Sequence, residues 1–241
     1  MEEKDGQWTL HGATPDDPAR LGSAEELIGR VEEMGFLPYF NAGVPGFSVE
    51  ESTDASAWWT GDEARDPWEW RVLAARSKRV AYGKFFRGKA GFISRELFPV
   101  FANFRRKGYD FDSLWEDELA SWRDKRVMDL FRGGKSYLSC DLKRLAGFVE
   151  NGERNFAGTL TSLMMRAYLV TPDFAHRLNK RGLPYGWQVS VLCTPEKLFG
   201  EEHISSGCAQ TPEESYRVLL VRARENCPGA SEEALEKLLR P

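Results

Sequence analysis

Within the stretch from Arg79 to Lys107, cations and aromatic rings alternate. Lys84, Arg87, Lys89, Arg95, Arg105 and Arg106 are interleaved with Tyr82, Phe85, Phe86, Phe92, Phe98, Phe101 and Phe104. Guanidinium and ammonium groups pair with phosphate or carboxylate, and rings offer stacking faces to bases. Such a stretch therefore suits an anionic ligand. It equally describes a hairpin and helix with a dry inner face and a wet outer one.

Other chemistries leave no trace. The glycines at Gly83 and Gly88 are too few and wrongly spaced to cradle a phosphate, and no nucleophile elbow or dinucleotide fingerprint occurs. His11, His176 and His203 form no paired ligand motif, so no metal is expected. Cys140, Cys193, Cys208 and Cys227 contain no CxxC pair and read as reduced thiols of a cytoplasmic protein. No cofactor is expected, and the catalytic residue, if one exists, is unknown. Asp110, Asp112, Glu116 and Asp117 follow the basic stretch. One of them could activate water as a general base, or all could be helix-start charges complementing the macrodipole.

The 241 residues carry a net charge of -4, with 41% hydrophobic residues. No apolar run is long enough to span a membrane, and the N-terminus lacks the basic and apolar pattern of a signal peptide. Charge is segregated along the chain. From Arg71 to Gly147 there are 18 Lys and Arg against 9 Asp and Glu, so the remainder is strongly acidic. Such a segment is an electrostatic footprint for nucleic acid, unless acidic neighbours fold over it.

The elements that must position these groups follow from caps and periodicity. Residues 1–22 show none and read as a loose lead-in. Ser23 and Glu26 form a capping box before a helix through Leu27, Ile28, Val31 and Met34 that stops at Gly35. A short strand is expected near Phe47 to Val49. Asp66-Pro67 starts a helix that ends near Ser77. Trp58, Trp59, Trp68 and Trp70 around it form either a core corner or a stacking platform, burial being favoured by their area. Two strands then meet at Arg87-Gly88-Lys89. Ser94 caps the next segment, with Pro99 pointing to a helix start at Phe98. Ser113 to Glu116 reads as a capping box and Ser121 as a further start, with Trp115, Leu119, Trp122, Met128, Leu130 and Phe131 as apolar face before Gly133-Gly134.

From Lys125 the order is helix, a second helix over LSCDLKRLAG, a glycine-bearing turn, a third helix over residues 155–169, and two strand-like runs around a polar loop. That is the order of a winged helix. Arg154, Asn155, Thr159, Ser162 and Arg166 would face outward from the recognition helix. His176 to Arg181 would be the wing, its Asn179, Lys180 and Arg181 reaching phosphates. Thr211 opens a long helix with a capping box, and Ser231 opens a last amphipathic one.

The runs DPWEW, VAYGKFFRGKAGFIS, LSCDLKRLAGF, FAGTLTSLMMRAYLV and GWQVSVLCTP together resemble the bacterial AlkZ-related proteins, over residues 24 to 200. The resemblance implies a mainly α protein with small β-hairpins (α+β) and tandem winged-helix architecture, related to the AlkZ-type DNA glycosylases. On that plan residues 23–120 form an N-terminal winged-helix-like unit, 121–200 a winged-helix unit, and 201–241 C-terminal helices packing on the core. The family's glutamine pair, Gln-x-Gln, is missing: only Gln7, Gln188 and Gln210 occur. No catalytic residue is carried over. DNA is the expected partner, bound through phosphates. The alternatives are base excision with another catalytic group, and an interaction module for a protein partner that binds no nucleic acid.

Overall fold

The structure, a computed structural model, describes residues 2–4, 7–148 and 155–240. Strands β1 (Glu2–Lys4) and β2 (Gln7–Thr9) pair antiparallel. The residues beyond them are not a loose lead-in. The Ala13 N–H donates to the Thr53 carbonyl at 2.8 Å and the Leu21 N–H to that of Ser52 at 2.7 Å. Leu21 is buried, and that apolar anchor gives the segment a reason to lie down.

Helix α1 (Ala24–Met34) is capped by Ser23, whose Oγ accepts from the Glu26 N–H at 3.2 Å. Glu26 reaches back one residue further than expected, to the Gly22 N–H at 2.7 Å. Leu27, Ile28 and Val31 are buried, and Gly35 at φ 83° ends the helix. Strand β3 (Phe36–Pro38) follows at once. The strand expected near Phe47 to Val49 is absent: Phe47 is buried edge-on against Phe36 in a turn. Helix α2 (Pro67–Arg76) starts where Asp66-Pro67 predicts. Strands β4 (Val80–Phe86) and β5 (Lys89–Ser94) form the expected hairpin, with Arg87 and Gly88 at φ 53° and 76°. The first sheet has the order β3-β5-β4.

Helix α3 (Phe98–Arg106) begins at Phe98, as Pro99 requires. In α4 (Phe111–Glu116) the cap is Asp110, not Ser113, because the carboxylate takes both the N–H and the Oγ–H of Ser113 at 2.8 Å. Ser121 does cap α5 (Trp122–Met128). Two residues assigned to its apolar face, Leu119 and Trp122, are exposed instead. Strand β6 (Tyr137–Leu138) leads into α6 (Ser139–Leu145). The expected glycine-bearing turn lies largely outside the described residues. Helix α7 (Phe156–Met165) is shorter than expected, since Ala167 at φ 59° leaves the helical path.

Strands β7 (Val170–Leu178) and β8 (Pro184–Cys193) are longer than expected. Most of the run expected to be a polar loop is strand, and only residues 179–183 turn. The second sheet has the order β6-β8-β7. Helices α8 (Pro195–Phe199), α9 (Glu201–Ser205), α10 (Pro212–Asn226) and α11 (Glu232–Leu239) complete the chain. Thr211 and Glu214 form the full reciprocal capping box at α10.

Two apolar clusters result. One gathers Phe36, Phe85, Phe92, Phe98 and Phe101 with Leu219, Leu235 and Leu238 from the last two helices. The other gathers Val127, Phe131, Leu142, Phe148, Leu163 and Leu192. Trp58 and Trp70 are buried in the first, so that pair serves the core, while Trp59 is 44% exposed. The architecture is α+β. Among the described residues no helix is long and apolar enough to cross a membrane.

Candidate nucleic-acid interface

The basic stretch divides according to its rings. With Phe85, Phe86, Phe92, Phe98 and Phe101 fully buried, the cations between them go where the backbone sends them. Arg105 and Arg106 are carried inward on α3. Arg105 donates from Nη1 to the Met165 carbonyl at 3.0 Å and from Nη2 to the Phe85 carbonyl at 2.8 Å. Burial pulls its pKa down to about 9. Arg106 donates to the Ala167 carbonyl at 2.8 Å and pairs with Glu196 at 2.6 Å. Both were expected on a phosphate-facing surface. Each is spent inside the protein, because the last turn of α3 packs against the end of α7.

Further cations are neutralised by acidic neighbours. Arg166 pairs with Asp124 at 2.9 Å, Arg76 with Asp173 at 2.6 Å, and Arg132 with Asp112 at 2.9 Å. Arg79 is forked between Glu25 and Glu32, which holds the Glu32 carboxyl below its usual range. Internal neutralisation by acids from outside, one of the two readings of the basic segment, thus claims Arg76, Arg79 and Arg106 of it.

The remainder stays in water. Lys84, Arg87, Lys89 and Arg95 are exposed. Lys84 reaches Thr161 Oγ1 on α7 at 3.4 Å, which places the β4–β5 hairpin beside that helix. Lys89 donates to the Asn41 carbonyl, and Arg95 lies 6.0 Å over the Phe199 ring. On α7 itself Asn155 is exposed, but Thr159 is buried and returns its hydroxyl to the Asn155 carbonyl at 3.1 Å. Thr159 therefore faces the core. Arg154 lies outside the described residues. A groove of about 610 Å³ runs along this side of α7, between Lys107, Gly158, Thr161 and Arg166.

The β7–β8 hairpin carries Lys180 and Arg181 exposed at its apex. Asn179 is used to build the turn, its Oδ1 accepting from the Arg181 and Leu183 N–H groups at 2.8 and 3.1 Å. Beside these cations stand side chains the sequence reading passed over: Leu178 (64% exposed), Leu183 (57%), Tyr185 (46%) and Trp187 (77%). Their signal was present as apolar residues on both sides of a basic Asn-x-x-Gly turn. Asparagine, glycine and proline disguised it as loop. The hairpin root is held firmly: Arg76 binds the Asp173 carboxylate and the Phe174 carbonyl, and Arg71 lies between Trp68 and Phe174.

Three of the four carboxylates proposed for water activation, all but Glu116, are engaged. Asp110 caps α4, and the Ser113 N–H lowers its pKa. Asp112 holds Arg132, and Asp117 accepts from the Tyr109 hydroxyl at 3.1 Å. Among the described residues no group of three or more His, Cys, Asp or Glu could hold a metal ion.

Helices around two three-stranded antiparallel sheets, one of them drawn into an exposed hairpin with a basic apex and apolar flanks, define an α+β protein. The chain belongs to the AlkZ-related family, whose model matches residues 21–240. Among solved structures it is similar to Streptomyces sahachiroi DNA glycosylase AlkZ, at 16% identity and a TM-score of 0.43. The match covers 92% of this chain and 60% of that one, so the chain spans under two thirds of that enzyme's length. A search of curated proteins found no match.

Proposed function

We propose that this is a DNA-binding protein acting in repair, a tandem winged-helix protein that holds duplex DNA chiefly through its phosphates. The observation that carries this reading is the β7–β8 hairpin, with Lys180 and Arg181 at its apex and Leu178 and Leu183 more than half exposed beside them. Contiguous apolar surface on a solvated hairpin is costly unless something covers it. Cations with adjacent apolar side chains suit a minor groove, where charge meets phosphate and apolar wedges part base steps. Lys84, Arg87, Asn155 and the groove beside α7 would lie along the flanking backbone. The units 23–120 and 121–200 correspond on this reading to the two winged helices, with 201–241 bracing the first.

A band-shift titration on duplex, nicked and single-stranded DNA at two salt concentrations tests it. Binding should fall steeply with salt, since each neutralised phosphate releases a counterion. Lys180→Glu with Arg181→Glu should weaken binding at least about tenfold, and Leu178→Ser with Leu183→Ser should weaken duplex binding more than single-strand binding. If no complex forms at low salt with any of these DNAs, the reading fails.

A second reading, base excision, is favoured by family membership and by a cleft of about 490 Å³ at the hairpin root. Trp68, Glu69, His176, Trp187 and Gln188 line it. Two rings and a carboxylate there could receive an extruded base and a water. Abasic-site formation on oligonucleotides carrying alkylated or crosslinked bases, abolished by Glu69→Gln, is the expected result. Silence across a broad lesion panel rejects excision and leaves the binding reading intact.

A further inference from the structure

We propose that the corner between α4 and α5 is a docking surface for a basic, amphipathic segment of a partner protein. Leu119 and Trp122 stand 59% and 61% exposed there, although helical periodicity assigns both to an apolar face. The Trp115 ring packs against that of Trp122 with centroids 5.7 Å apart, so the two indoles share one surface. The turn that carries Leu119 is fixed by its backbone. Glu118 follows α4 at φ 58°, its N–H donating to the Trp115 carbonyl and the Leu119 N–H to that of Leu114, both at 3.0 Å. A helix end of this kind commonly tucks its following apolar residue back against the helix, whereas Leu119 is left in water. Single exposed apolar residues are ordinary, but a cluster held by a defined turn marks an interaction site.

Charge identifies the occupant. From Tyr109 to Trp122 the chain holds five carboxylates and no Lys or Arg, although the segment around it, from Arg71 to Gly147, is basic. Asp110 is spent capping α4 and Asp112 on Arg132. Glu116, Asp117 and Glu118 are exposed beside the indoles, and the carboxylates of Glu116 and Glu118 take part in no ion pair or hydrogen bond among the described residues. Lys125 shows what the rings accept, its ammonium lying 5.6 Å over the Trp115 ring. A phosphate backbone is repelled by such a rim. A segment bearing Arg or Lys among Leu or aromatic residues meets the carboxylates and the rings together, and Trp and Arg are the side chains that anchor interfaces most strongly. No residue of the β7–β8 hairpin or of the groove beside α7 takes part, so the surface is separate from the proposed DNA contact and does not depend on it.

Selection of a displayed random-peptide library on the full chain tests the surface, with the enriched peptides then synthesised and titrated by fluorescence anisotropy. Enriched sequences should combine Lys or Arg with apolar residues, and their binding should weaken as salt is raised. Leu119→Ser with Trp122→Ser should weaken it about tenfold or more through the rings, and Glu116→Gln with Glu118→Gln about fivefold through the rim. All four side chains are exposed, so both variants should keep the parent circular-dichroism spectrum. No enrichment, enrichment of acidic or uncharged sequences, or peptides indifferent to both variants would overturn the assignment. Two rival occupants are read from the same proteins. Self-association in sedimentation that Leu119→Ser with Trp122→Ser abolishes would give the surface to a second copy of the chain and overturn the proposal. Weaker duplex binding by that variant in the band shift would give it to DNA and overturn it likewise.

Discussion

Arg105 and Arg106 are neighbours in sequence and both are buried, yet they play different roles. The Arg106 guanidinium is fully used, bridging the Ala167 carbonyl and the Glu196 carboxylate and thereby tying α3 to α8. Removing it strands a carboxylate that is less than one-third exposed and a buried carbonyl. Arg106→Met should therefore destabilise the protein by about 3 kcal/mol, the lower end for breaking a buried pair, read as a shift in denaturant midpoint at constant slope. The Arg105 guanidinium crosses to α7 through carbonyls alone. Nothing in the order of residues separates the two, because the difference is set by what each meets across the helix interface.

At the level of elements, caps and turns were the most readable features. The boundaries of α1, α2, α5, α10 and α11 follow Ser23, Asp66, Ser121, Thr211 and Ser231, each accepting the expected N–H. A side-chain cap satisfies an orphan amide locally, so the signal survives any tertiary context. Thr211→Ala removes the hydroxyl half of the box at α10, leaving the residue-211 N–H to Glu214, and should cost about 1 kcal/mol, seen as a lower melting temperature without loss of helix content. Where two acceptors compete, reading by motif failed: Asp110 outbids Ser113 for the start of α4, since a carboxylate is the stronger acceptor. The β7–β8 hairpin was also shortened in the reading. A paired strand tolerates turn-forming residues when a neighbour supplies its hydrogen bonds, and Gly186 at φ 69° accommodates the irregular register there.

For the molecule as a whole, the acidic and basic blocks of the chain fold onto each other. Glu25 and Glu32 meet Arg79, Glu196 meets Arg106, and Asp173 meets Arg76. Several carboxyls are held below their usual values by hydrogen-bond donors: Glu32 by Arg79, Asp110 by Ser113, Glu214 by Thr211 and Glu232 by Arg224. A carboxyl with a lowered folded pKa binds protons less readily folded than unfolded. Its contribution is complete above the unfolded values, 3.8 for Asp and 4.5 for Glu, and is lost as pH falls through the lower folded ones. Stability should hold down to about pH 5 and decline progressively below it, as urea titrations at successive pH values would show.

The sequence by itself determined the α+β class, most of the helix starts, the β4–β5 hairpin and the inward face of the aromatic stretch, all of which rest on local chemistry or on periodic burial. It also carried the family resemblance. Tertiary structure alone decided which cations remain available to a ligand. Charge along a chain is additive, but charge at a surface depends on which side chains are buried and which opposite charges arrive from elsewhere. Lys84, Arg87, Lys180 and Arg181 stay exposed, while Arg105, Arg106 and Arg166 are consumed. The basic stretch that first drew notice is thus half scaffold and half surface, and its division follows from packing at α3 and α7.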